Sequence, residues 1–166
     1  MVFILKVWDW RTLRVMVLGR AVLLTVLCMT IAASLLAAQE SSASDTRSVW
    51  DGVYTEDQAE RGEASYKTGC SSCHGETLKG AGESPPLAGV PFMSNWSGLL
   101  LADLYERIRR TMPQDNPARM TRQQKIEILA YILSVNKFPS GNTDLPRQTE
   151  LLKLIRIEAN KPETKR

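Results

Sequence analysis

Gly69-Cys70-Ser71-Ser72-Cys73-His74-Gly75 is the stretch that decides how the rest of the chain is read. Cys70-x-x-Cys73-His74 is the pattern of covalent haem attachment: each thiol adds across a porphyrin vinyl group, and the adjacent imidazole binds the iron from one side. Two other chemistries use closely spaced cysteines. Four-coordinate zinc needs further Cys, His or carboxylate ligands, yet His74 is the only histidine, and the third cysteine, Cys28, lies in an apolar segment near the N-terminus. A thioredoxin-like pair belongs in a βαβ setting, and no βαβ pattern is present. A plain disulfide across two residues is strained.

Six-coordinate haem iron in an electron carrier takes Met or His as its second axial ligand. With no other histidine, Met93, Met112 and Met120 are the candidates beyond the leader. Met112 is preferred: in Thr111-Met112-Pro113, Pro113 stops the preceding helix and holds the chain extended, and Pro117 stiffens the same loop. Met93 and Met120 read as space-filling side chains.

Upstream, Lys6, Arg11, Arg14 and Arg20 lead into an apolar run over 21–38, and polarity changes abruptly at Gln39. Residues 1–38 therefore read as a secretory signal peptide cleaved near Ala38, with an uncleaved N-terminal anchor as the rival. Export implies a periplasmic location, membrane-anchored by residues 21–38 if the segment stays. The whole chain has 21 Lys plus Arg against 18 Asp plus Glu. The excess belongs to the leader, and the remainder is balanced at 17 of each, which argues against nucleic-acid binding. Residues 39–49 read as a flexible linker and 143–166 as a tail with a short peripheral helix.

Thr55-Glu56-Asp57-Gln58 has the form of a capping box, and the spacing of Ala59, Gly62 and Tyr66 predicts a helix over 56–68. Gly75, Gly80, Gly82 and Gly89 with Pro85, Pro86 and Pro91 predict one long loop over 75–95. Leu101, Leu104, Tyr105 and Ile108 predict an amphipathic helix ending near Arg110. A second box, Thr121-Arg-Gln-Gln124, opens a helix that closes before Pro139. No strand-like alternation is seen, so the fold class is all-α with about four or five short helices. Arg107, Arg109, Arg110, Arg119, Arg122 and Lys125 flank Met112 and read mainly as a solvated helix face, with steering of an acidic redox partner or pairing with haem propionates as the other readings.

Over residues 50–142 the chain resembles the class I cytochrome c family, through Gly69–Gly75, Pro85-Pro86-Leu87-Ala88-Gly89, Thr111-Met112-Pro113 and Ile128-Leu-Ala-Tyr131-Ile-Leu133. It is most similar there to the small cytochrome domains of bacterial quinoprotein dehydrogenases, which share Trp96 and Asn136-x-Phe138-Pro139-x-Gly141. The resemblance implies a cytochrome c-like fold around one haem c, iron ligated by His74 and Met112, with the first and last helices crossing at Gly62. It further implies that the Pro86 carbonyl accepts from His74, and that Leu87, Trp96, Leu104 and Ile108 line the haem pocket. The implied function is an exported single-electron carrier between a redox protein donor and acceptor, such as a quinoprotein dehydrogenase or a terminal oxidase. A haem enzyme or gas sensor with an open iron position, and a subunit bound permanently to a dehydrogenase, remain as alternatives.

Overall fold

The structure is a computed structural model that describes residues 46–163; the predicted leader lies outside them. Thr55 accepts a hydrogen bond from the Gln58 N–H and opens α1, Glu56–Gly69. Only half of the predicted box forms. The Gln58 side chain instead grips the C-terminal segment, donating to the Leu145 carbonyl at 3.1 Å and accepting from the Leu145 N–H at 2.7 Å. A single helical turn, α2 (Ser71–His74), follows directly.

The next helix corrects the sequence reading. Part of the expected 75–95 loop is α3, Gly89–Trp96. Pro91 falls in its first turn, where a missing N–H loses no helical bond. Asn136 Oδ1 accepts the Gly89 N–H at 2.9 Å, and Phe92 is fully buried. Glycine and proline content predicted a loop because both residues stand at the helix start, where they are tolerated.

Helix α4 spans Leu101–Thr111, and the reciprocal Thr121/Gln124 box opens α5, Arg122–Val135. Helix α5 lies across α1 at Gly62: a Cβ there would stand 1.9 Å from the Glu127 carbonyl oxygen. Only glycine permits that approach. Beside the crossing, the Tyr66 and Tyr131 rings meet with centroids 5.5 Å apart.

Both flanks of the helical core differ from expectation. The predicted linker reaches into the fold, since Val49 is fully buried and β1, Arg47–Ser48, pairs in parallel with β2, Ile155–Arg156. The predicted tail is equally part of the core: Leu145, Leu152, Ile155 and Ile157 are buried, and α6, Thr149–Leu152, is a single turn between them. The described fold is thus all-α apart from this two-residue strand pair, with six helices where four or five were expected, two of them single turns. No helix among the described residues is long and apolar enough to cross a membrane.

Candidate functional site

The cysteine motif sits on the joint between α1 and α2. The Cys70 N–H continues α1 by donating to the Tyr66 carbonyl, while the Cys70 carbonyl accepts from Cys73 at 3.2 Å and from His74 at 2.9 Å. One turn thereby carries positions 70, 73 and 74, an i, i+3, i+4 set that shares a helix face. Cys70 is half-buried against the core and Cys73 is exposed, and no disulfide joins them. Burial pushes the Cys70 thiol up to about 11, with Arg119 and Lys125 opposing the shift. No cluster of three or more His, Cys, Asp or Glu suited to a metal ion is found among the described residues.

His74 is buried at 8 % exposure, and its ring orientation is set by one contact: Nδ1 lies 2.9 Å from the Pro85 carbonyl. Here the expected Pro86 acceptor is corrected by one residue. The Leu87 N–H donates to the Leu78 carbonyl at 2.8 Å, which fixes the 86–87 peptide and turns the Pro86 carbonyl the opposite way along the same plane. The 85–86 peptide has no N–H, so no ladder bond competes for its carbonyl. With Nδ1 donating to that carbonyl, the remaining ring nitrogen, Nε2, carries a lone pair.

The loop that presents Pro85 is held from several sides. Gly80 has φ +78°, and a Cβ there would strike the Ser84 carbonyl oxygen at 2.5 Å; its N–H donates to the His74 carbonyl at 2.9 Å. The Tyr66 hydroxyl donates to the Gly75 carbonyl at 2.6 Å, and Asn136 Nδ2 donates to the Leu87 carbonyl at 3.0 Å. The side chain of Asn136 therefore joins α5, the Pro85 loop and the start of α3. Its polar clip was not read from the sequence, where position 136 entered only as part of a resemblance.

Leu87, Trp96 and Ile108 are half-buried and pack against the core, whereas Leu104 is buried at 2 % exposure within it. Met112 caps α4 in extended conformation, φ −122°, ψ 141°. It is half-buried and, unlike Met93, does not pack against the core. Met120 is buried, with Sδ 2.5 Å from where a Gly69 Cβ would stand, the place of a space-filling side chain. Of the arginines around Met112, Arg109 and Arg110 share the single carboxylate of Glu106 and Arg119 pairs with Asp115, while Arg107 and Arg122 have no carboxylate partner among the described ion pairs.

Two thiols on one turn, an oriented imidazole beside them and a border of half-buried apolar side chains form a donor set and surround that fit a covalently held haem. Among known proteins, residues 57–132 match the family described as cytochrome C oxidase, cbb3-type, subunit III. No curated protein and no solved structure matches the chain.

Proposed function

From the premise that residues 57–132 are a c-type cytochrome domain, we propose that the protein is an exported carrier of single electrons whose one haem is tethered by Cys70 and Cys73. On this reading His74 and Met112 would hold the haem iron. A c-type haem supplies a one-electron couple between ferrous and ferric iron.

The chain's own residues define what that couple experiences. Pro85 holds the His74 ring by Nδ1, which leaves Nε2 as the nitrogen that would bind the iron. Leu87, Trp96 and Ile108 form apolar walls that exclude water, and Leu104 backs them from the core. Met112 offers a half-buried thioether in extended backbone at the end of α4. A Met ligand and an apolar surround both favour the reduced state, so the potential lies above that of a bis-His haem. Export follows from the basic and then apolar composition of residues 1–38, and places the carrier outside the cytoplasmic membrane. Its partners are a redox donor and acceptor. The matched family's description names an oxidase, which favours a terminal oxidase as acceptor.

The single observation that carries this reading is the turn of Cys70, Cys73 and His74 with the imidazole fixed by the Pro85 carbonyl. Visible spectra of the native protein and Met112→Ala, matured in a host with c-type assembly machinery, test it. The native protein is expected to show sharp ferrous bands and a weak far-red ferric band that Met112→Ala lacks. A native protein that is already high-spin and binds carbon monoxide readily gives the open-iron enzyme or sensor reading its place.

A further inference from the structure

Lys125, at the start of α5, is 3 % exposed. Its ammonium has no carboxylate partner among the described ion pairs. It donates instead to two backbone carbonyls, Arg109 O at 3.0 Å and Pro117 O at 2.6 Å. An ammonium buried without a counter-ion is costly, and burial with the like charge of Arg109 holds its pKa below the ordinary lysine value.

The two carbonyls have one thing in common: they bracket Met112. Arg109 stands three residues before it, in the last turn of α4. Its carbonyl would normally accept from the residue four further on, which is Pro113 and has no N–H. Pro117 opens the short 3-10 turn Pro117–Arg119 that ends the same loop. Lys125 thus fills an acceptor left open by Pro113 and, with the same nitrogen, closes the far end of the loop.

We infer that Lys125 is a positioning residue whose ammonium clamps both ends of the Met112 loop to α5 and fixes where the Met112 sulfur stands. The clamp needs no contact with the haem or the sulfur. It acts through backbone on either side, much as Pro85 acts on His74.

This inference rests on Met112 being an axial ligand, and the test separates the two. Lys125→Met keeps the apolar stem and removes the donors; Lys125→Arg retains a cation able to reach two carbonyls. In the haem-loaded protein, Lys125→Met is expected to keep the attached haem and the helical circular dichroism. Its far-red ferric band weakens, and imidazole displaces Met112 about tenfold to a hundredfold faster, the effect of losing one or two charge-assisted hydrogen bonds. Lys125→Arg restores the band. A native band with a Lys125→Met displacement rate within about twofold of native, on that same scale, overturns the clamp and leaves the ligand assignment standing. A native protein with no such band overturns both. Should Lys125→Met fail to fold, Lys125→Gln, whose amide serves one carbonyl, is measured in its place: faster displacement supports the clamp and a native rate overturns it.

Discussion

Glu106 collects four short contacts on one carboxylate: Arg109 at 2.8 and 2.6 Å, Arg110 at 2.7 Å and Thr149 at 2.7 Å. Chiefly through Arg109, these hold its carboxyl at about 2, below the ordinary 4.5. A depressed carboxyl stabilises the fold above its unfolded pKa and loses that contribution as pH falls through the folded one. The stability gap between native protein and Glu106→Gln is therefore expected to be constant above about pH 4.5 and to shrink toward pH 2. Thermal unfolding of both across that window checks it, and a gap that does not narrow refutes the assignment. At this scale the sequence displayed the chemistry and hid the company it keeps. Cys70, Cys73 and His74 stand out in the sequence by type and spacing, and the structure sets them on one turn. The shift from Pro86 to Pro85, the burial of Lys125 and the clip made by Asn136 each depend on which way a backbone carbonyl faces, and no residue type records that.

Among the elements, the crossing of α1 and α5 leaves the least room for change. A methyl group at Gly62 would meet backbone at 1.9 Å, and a carbonyl on a helix cannot move aside as a flexible side chain can. Gly62→Ala should destabilise the protein by about 3 kcal/mol, at the upper end for overpacking, despite alanine's better helix propensity. Denaturant unfolding of the two proteins measures this; a neutral or stabilising effect would mean that the helices are able to separate. The helices themselves were legible where caps and apolar spacing agreed, as at Thr121 and Gln124. Helix α3 was not. Its pattern is short, and its signals, Gly89 and Pro91, mark a loop in most contexts and a helix start in this one. The Thr55 box was half right because the tertiary bonds of Gln58 to Leu145 displaced the local one.

For the whole molecule, the boundaries drawn from composition were too narrow at both flanks. Ser-rich sequence before Trp50 suggested a linker, and the alternation of Ile155, Arg156 and Ile157 is too brief to announce a strand. Yet Leu145, Leu152, Ile155 and Ile157 are buried, and burying each contributes about 1.5–3 kcal/mol. Together they match the roughly 5–15 kcal/mol that stabilises an entire domain. A chain ended after Asp144 is accordingly expected to show no cooperative thermal transition by circular dichroism, and retention of a native-like melt would show that the segment is peripheral after all.

The pairing of Arg47 with Ile155 also sets an order of events. A ribosome adds about 5–20 residues per second, so roughly 5 to 20 seconds separate the synthesis of the first strand from that of its partner. For all of that interval the strand pair of residues 47–48 with 155–156 cannot form. Until residues 155 and 156 exist the first strand has no partner, so this seam closes only after every helix of the described fold has been made.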